Sequence, residues 1–290
     1  MPVQMHSMGW LPDYPDFRDY TTEHATVNPL LKKIGLTGNR KKSIPESTDL
    51  RAWCSAIEDQ GSLGSCTSQA GASMVEYFAH RSMDRYTDLS RLFLYKVTRN
   101  LMRQKGDTGA FIRTTMGALV LFGIPPEVYW PYKEKDFDKE PPAFCYAFAQ
   151  NYQAISYYRL DTAGLKKNEV LQAIKNNLAG GLPSMFGFSV FSSIGQAGES
   201  GQIPYPVPGE KILGGHAVMA VGYDDRIEIA NTNPDGPTCK GAFLIRNSWG
   251  PKWGVEGYGW LPYEYLLKGL AIDWWSIIKN EWIETGEFEP

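Results

Sequence analysis

The hydrophobic pattern of the chain changes near residue 150, and this change limits the fold more than any other feature. Before it, apolar residues recur at helical spacing, for example at Cys66, Ala70, Met74 and Phe78, so a helix is predicted to begin near Cys66. After it, short alternating stretches between glycines and prolines predict strands. We therefore expect an α+β protein whose helices largely precede its sheet.

Periodicity and terminating residues locate the predicted elements. Helices are predicted over residues 90–102, 112–122 and 166–178, and Gly123 with Pro125 and Pro126 ends the second. Strands are predicted over residues 182–190, 217–223, 242–246 and 257–261.

The length and composition are those of a globular protein with one large core or two modest ones. Hydrophobic residues make up 43% of the 290 positions, and charged residues 21%, which provides enough apolar surface for a packed core. We divide the chain into an N-terminal extension (1–43), a helical lobe (44–150) and a β-rich lobe (151–290) whose end can cross back.

Charge and hydropathy exclude several classes of protein. A net charge of -3 and a pI of about 5.9 give no basic field for nucleic acid. Neither a run of eighteen apolar residues nor a leader in residues 1–15 is present. We expect a soluble monomer without membrane insertion, cytoplasmic or exported without a recognisable signal. The cysteines stand singly, which favours a reducing compartment over a zinc site or a disulfide framework: Cys54, Cys66, Cys145 and Cys239.

The segment from Gln60 to Cys66 places a thiol at the predicted start of a helix. There, backbone N–H groups and the helix dipole favour the thiolate, so we expect a lowered pKa. Gly61 and Gly64 allow a tight loop, and the Gln60 amide can turn toward the thiol. With the Cys66 N–H it would form an oxyanion hole. Taken alone, the segment is better explained by a small buried cysteine at a helix start.

The segment Gly214-Gly215-His216 leads into an apolar strand. With His216 as the first strand residue, the ring would lie at a rim, where a neutral imidazole can accept the thiol proton. Taken alone, a single histidine of this kind is more often structural.

A third segment runs from an apolar strand into a rigid turn that contains Asn247 and Trp249. The Asn247 amide oxygen can accept the second N–H of the histidine and fix its tautomer, while Trp249 would shield that bond from water. Taken alone, an asparagine at a turn more often bonds to local backbone.

Together, the three segments resemble the papain-like cysteine peptidase family. The likeness consists of Gln-Gly-x-x-Gly-Ser-Cys, Gly-His-Ala about 150 residues later, and Asn-Ser-Trp-Gly-x-x-Trp-Gly-x-x-Gly-Tyr. The stretch 44–51 also resembles the start of the mature enzyme, so the likeness covers about residues 44–275. By this resemblance Cys66, His216, Asn247 and Gln60 take the catalytic positions.

The resemblance also implies a two-lobe fold, with a helical lobe, an antiparallel β-barrel-like lobe and the active-site cleft between them. It implies a groove lined by Gly109, Phe186, Ala217 and Trp249, with a mainly apolar main subsite. Residues 107–109 would match the glycine-bearing wall of that groove. No metal or organic cofactor is required.

Three departures from the family pattern stand out. Leu63 replaces a cysteine, so one family disulfide is missing, and Thr67 replaces the aromatic residue that usually follows the nucleophile. Such variants resemble bacterial members. The extension also replaces the long helical pro-segment.

The implied reaction is thiol-dependent hydrolysis of a peptide or protein substrate. Two alternatives use the same fold: a deamidase or transamidase, in which another nucleophile resolves the acyl-enzyme, and an inert binding module.

The extension has two interpretations. Residues 10–20 are aromatic and acidic, and Pro12 and Pro15 exclude a regular helix, so the stretch should be extended and lie on another surface. It would either gate the groove or serve as a structural strap. The basic cluster 40–42 is best explained as a solvated linker, with a processing site or an anion site as alternatives. An anionic effector bound by Lys32, Lys33, Lys41 and Lys42 is a further alternative.

Overall fold

A computed structural model describes residues 7–37, 44–153 and 156–288. Its α-helices are α1 (Asn28–Lys33), α2 (Cys66–Met83), α3 (Arg91–Leu101), α4 (Ile112–Leu121), α5 (Ala143–Ala149), α6 (Lys167–Ala179), α7 (Tyr263–Leu267) and α8 (Asn280–Ile283). Its strands are β1 (Trp10–Leu11), β2 (Ser47–Asp49), β3 (Ala110–Phe111), β4 (Ser156–Arg159), β5 (Ser184–Phe191), β6 (Ile212–Ala230), β7 (Thr238–Arg246), β8 (Tyr258–Pro262) and β9 (Ala271–Ile278). Across these residues, every helix is too short or too polar to cross a membrane.

Seven strands form one antiparallel sheet in the order β4-β9-β5-β6-β7-β8, with β2 paired to β6. The long strand β6 pairs with β5 on one side and β7 on the other. The core beside the sheet is aromatic: Phe186 stacks on Trp274 with ring centroids 3.8 Å apart, and Phe243 contacts both rings. Burial of such large rings removes much apolar surface from water.

Helix α2 is buried along most of its length, with every residue from Cys66 to Phe78 inaccessible. Small residues allow its neighbours to approach closely, since a side-chain carbon at Gly71 would lie 3.2 Å from Thr115. Near the other end of the chain, Trp282 stacks on Phe78 with centroids 4.7 Å apart. The C-terminal part therefore crosses back to the helices, and α2 links both ends of the fold.

The three helices predicted downstream of α2 match α3, α4 and α6 to within one residue, and α2 begins at Cys66 as predicted. Strand β6 differs, because it begins at Ile212 and includes Gly214 and Gly215. His216 therefore lies inside a strand and is fully buried, and its predicted place at an exposed strand mouth is wrong. The glycine pair does not break the strand; it leaves room for the N-terminal residues.

Two parts of the extension form secondary structure on the rest of the protein. Strand β1 pairs in parallel with β3, with Trp10 opposite Ala110. Farther along, Val27, Leu31 and Ile34 are buried around α1. The first of these contacts is strand-like and the second is apolar.

The structure describes some of the basic residues of the extension. The cluster 40–42 lies outside the described residues. Lys33 forms an exposed ion pair with Glu284 at 3.7 Å, and exposed pairs of this kind contribute little to stability.

Candidate active site

The Cys66 thiol lies at the first residue of α2 and is fully buried. Burial raises the pKa of this thiol to about 11, although the backbone N–H groups of Ala217, Gly9 and Thr67 act in the opposite direction. The lowered pKa expected from the helix start is therefore absent in this covered state. Exclusion of water outweighs the helix N–H groups, because desolvation disfavours the charged form.

The side chains of His216 and Asn247 are in direct contact. His216 Nε2 lies 2.8 Å from Asn247 Oδ1, and an amide oxygen only accepts, so Nε2 carries the hydrogen and Nδ1 is the basic nitrogen. The Trp249 ring stacks on the imidazole with centroids 4.4 Å apart. The backbone N–H of Ala217, the residue after His216, acts on the Cys66 thiol, so the strand that contains His216 passes beside the sulfur.

The Gln60 side chain points its amide nitrogen at the extension. Gln60 Nε2 donates to the carbonyl oxygens of Leu63 at 2.8 Å and Ser7 at 2.9 Å. Its Oε1 accepts from Ser248 Oγ at 2.6 Å, and the Ser248 N–H donates to Asn247 Oδ1 at 2.8 Å. Ser248 thus fixes the orientation of both amides, which the sequence pattern did not reveal although Ser248 follows Asn247 directly.

Two distant side chains hold the loop before Cys66. Asp107 accepts the Gly64 N–H at 3.0 Å. The Tyr132 hydroxyl lies 2.7 Å from Ser65 Oγ and donates to the Gln60 carbonyl oxygen at 2.9 Å. Tyr132 carries no local sequence signal, since its role arises only from the tertiary contact.

Residues 7–11 of the extension run across this site. The Gly9 carbonyl oxygen accepts the Ala110 N–H at 2.7 Å, which continues the pairing of β1 with β3. A side-chain carbon at Gly109 would lie 2.2 Å from that oxygen, and one on Gly9 itself would lie 1.9 Å from the carbonyl oxygen of Gly64. Gly9 therefore passes between two glycines with no space for a side chain.

The residues predicted to line the groove fall into two groups. Gly109 contacts Gly9, Ala217 reaches the thiol through its backbone, and Trp249 covers His216. The Phe186 ring is instead stacked inside the aromatic core. The next residue, Gly187, meets the extension, because neighbouring residues in a strand face opposite sides.

Two arginines bind the extension near the site. Arg113 pairs with Asp13, and its Nε donates to Asp19 Oδ1 at 2.8 Å. The buried Arg159 donates from Nη2 to the Asp13 carbonyl oxygen at 2.9 Å and from Nε to Asp161 Oδ1, also at 2.9 Å. These pairs join residues far apart in the sequence, so no local pattern announces them.

Comparisons with known proteins show which proteins this chain resembles. Residues 44–266 match the profile of the papain family cysteine protease. An uncharacterised peptidase C1-like protein of Acanthamoeba polyphaga mimivirus is 33% identical over 285 residues, which are 93% of this chain and 86% of that protein.

Solved structures give the same result. The crystal structure of xylellain, a cysteine protease from Xylella fastidiosa, is 33% identical, has a TM-score of 0.75 and spans 93% of this chain and 95% of its own. A Carica candamarcensis cysteine protease, 22% identical with a TM-score of 0.59, spans 82% of this chain and 100% of its own, and shares the fold. The predicted papain-like α+β fold and the family resemblance are thereby confirmed.

Proposed function

This chain belongs to the papain family of cysteine proteases, and we propose that it hydrolyses peptide bonds with Cys66 as nucleophile, His216 as proton acceptor and Asn247 as the orienting amide. The observation that carries the proposal is the 2.8 Å contact between His216 Nε2 and Asn247 Oδ1. The next residue along the strand from His216, Ala217, acts on the Cys66 thiol through its backbone N–H. The contact of His216 with Asn247 selects the tautomer whose Nδ1 can accept a proton.

The proposed reaction has two halves. The Cys66 thiol gives its proton to His216, and the sulfur attacks the peptide carbonyl carbon. Gln60 Nε2 and the Cys66 N–H stabilise the negative oxygen. His216 then gives the proton to the departing amine, which leaves a thioester. Water, deprotonated by His216, attacks the thioester; the C–S bond breaks, the acid product leaves, and Cys66 regains a proton from His216.

We further propose that residues 7–11 gate the site. The Ser7 carbonyl oxygen already accepts from Gln60 Nε2, so the donor proposed for the reacting oxygen is in use. Gly9 covers the thiol and pairs with the strand that contains Ala110. A substrate must displace these residues before it can reach Cys66.

The other half of the extension supports the strap interpretation. Val27, Leu31 and Ile34 are buried against the rest of the protein, so removing residues 1–43 would expose an apolar surface. We propose that residues 1–43 form an extension and that residues 44–150 and 151–290 form the two lobes. A gate over the cleft and a strap behind it are compatible roles for successive parts of one segment.

The catalytic assignment is tested with an irreversible thiol-directed peptidase inhibitor and intact mass spectrometry. Wild type, Trp10→Ala and the Trp10→Ala, Cys66→Ala double variant are compared. We expect covalent labelling of Trp10→Ala that the double variant lacks. If Cys66 is not labelled in either protein that contains it, the chain is an inert binding module.

A peptide library read by mass spectrometry separates the two enzymatic alternatives. New peptide ends support hydrolysis, whereas side-chain deamidation or cross-linked products without chain cleavage favour the deamidase or transamidase. His216→Ala is the control, because it removes the proton acceptor while leaving the thiol in place.

The gate is tested by hydrolysis rates of full-length variants. Trp10→Ala should hydrolyse peptides faster than wild type, because it removes the largest side chain of β1. Phe17→Ala is the matched control, since Phe17 belongs to the same segment and is 96% exposed. Equal rates for wild type and Trp10→Ala would contradict the gate.

A further inference from the structure

The indole of Trp10 occupies a depression beside the candidate active site. It lies over Gly187 of β5 and Gly215 of β6, where added side-chain carbons would lie 1.9 Å and 2.8 Å from the indole ring. The two glycines therefore create the space that the ring fills. Gly215 is two residues before Ala217, whose N–H reaches the Cys66 sulfur, so the depression adjoins the thiol.

A buried carboxylate forms the polar end of this depression. Trp10 Nε1 donates to Asp273 Oδ2 at 3.1 Å, and Trp275 Nε1 donates to Asp273 Oδ1 at 2.6 Å. Arg159 Nη1 lies 3.4 Å from Oδ1. When Trp10 leaves, Oδ2 loses its indole donor, and a buried carboxylate oxygen without a donor is costly.

We propose that this depression is a substrate subsite for a tryptophan side chain, with Asp273 as the acceptor that selects the indole N–H. The inference rests on the proposed peptidase function. An extended substrate replaces residues 7–11, and one of its side chains then lies where Trp10 lies. A phenyl or aliphatic side chain fits the glycine floor but leaves Asp273 Oδ2 without its donor.

The local charges favour a neutral donor over a cationic side chain. Arg113 is paired with Asp13 and Asp19, and both carboxylates leave when residues 7–19 open together. The charges that remain are balanced: Arg113 and Arg159 against Asp161 and Asp273. A lysine or arginine side chain would therefore lose its hydration without a net electrostatic gain.

The first experiment measures kcat/KM of full-length Trp10→Ala, in which the depression is empty, at pH 8, where the Asp273 carboxyl is mostly ionised. Peptides are compared in pairs that differ only at one position, with tryptophan or 1-naphthylalanine, a flat bicyclic analogue without the N–H. We expect about a tenfold preference for tryptophan, the effect of one hydrogen bond to a charged group. Equal kcat/KM for the pair, or a higher value for an arginine peptide, would overturn the proposal.

The second experiment adds Asp273→Asn to the same protein. Asparagine has one accepting oxygen for the two indoles and tolerates the positive φ of 68° at this position. The preference for tryptophan, the ratio of the two kcat/KM values, should fall to about twofold or less. A preference that survives Asp273→Asn assigns selection to another residue and contradicts the inference.

A binding measurement separates this inference from the proposed function. The full-length Cys66→Ala, Trp10→Ala protein cannot react through the thiol, so fluorescent peptides with the sequence of residues 7–13 report binding alone. Tighter binding of the tryptophan peptide than of its naphthyl analogue supports the subsite even if no peptide is hydrolysed. Equal binding rejects the subsite even if hydrolysis is observed.

Discussion

The two halves of the N-terminal extension are held by different forces. Gly9 lies in a narrow passage, and residues 7–19 are bound by backbone hydrogen bonds, the indole of Trp10 and the ion pairs of Arg113. Residues 27–34 instead bury Val27, Leu31 and Ile34.

The difference indicates which half can move. Apart from the Trp10 indole, the contacts of the first half are polar and exchange with water at small net cost, whereas the three apolar side chains of the second half lose their full transfer free energy on exposure. We therefore expect the first half to open locally while the second half stays bound. A tether that remains attached also keeps the first half near the cleft.

Leu31→Ala should produce the largest change in stability. The substitution leaves a cavity beside α1, and we expect the free energy of unfolding to fall by about 3 kcal/mol. Urea unfolding measures this change. The rate at which iodoacetamide alkylates Cys66 under native conditions should stay within about twofold of wild type. A large increase in alkylation would show that the two halves open together.

Gly9→Ala should open the first half. The added carbon would lie 1.9 Å from the Gly64 carbonyl oxygen, and relieving such overlap costs about 1 to 3 kcal/mol. We expect alkylation of Cys66 to accelerate by about a hundredfold at most, with a smaller loss of unfolding free energy than in Leu31→Ala. Gly117→Ala is the control, because nothing lies within 4 Å of its added carbon. An unchanged rate in Gly9→Ala would contradict a passage that has no space for a side chain at this position.

Arg113→Gln should have a smaller effect on the same rate. It removes the ion pairs to Asp13 and Asp19, but the Arg113 side chain is 24% exposed, so water screens part of the interaction. We expect alkylation of Cys66 to increase about fivefold and the wild-type rate to rise with salt. Arg18→Gln should not alter the rate, because the Arg18 side chain is 74% exposed and pairs with Asp16 of the same segment.

Asp273→Asn should change the pH dependence of stability. Burial raises the pKa of Asp273 from 3.8 to about 7, so the folded state binds this proton more tightly than the unfolded state. The contribution therefore favours folding at low pH and is lost as pH rises toward 7. Between pH 5 and 8, the unfolding free energy of the variant should rise relative to wild type by about 1 to 2 kcal/mol. A difference that does not vary with pH would exclude a raised pKa.

The local signals in the sequence predicted the helices well and the strands less completely. Gly123 and the following prolines ended α4 close to the predicted position. Strand β9 was not predicted, although Asp273 lies within it. A buried, tryptophan-rich run shows neither the alternation nor the turn residues from which the other strands were predicted.

The site residues also divide into those that the sequence predicts and those that only the folded chain shows. Cys66, His216, Asn247 and Gln60 stand in recognisable short motifs, so sequence alone nominated them. Trp10 and Asp273 are 263 positions apart, and only the folded chain brings them together. Phe186 was assigned to the groove by its position in the family pattern, but its ring faces the core and the neighbouring Gly187 meets the extension.

The close approach of Gly9 to Gly64 and Gly109 restricts the register of residues 7–11 on the rest of the protein. Backbone pairing alone would let a strand slide along its partner in either direction. Here a shift by one position would bring Met8 or Trp10 into the passage, where no side chain fits. Because it has no side chain, Gly9 fixes the register of the strand that covers the site. The register in turn determines which carbonyl oxygen faces Gln60.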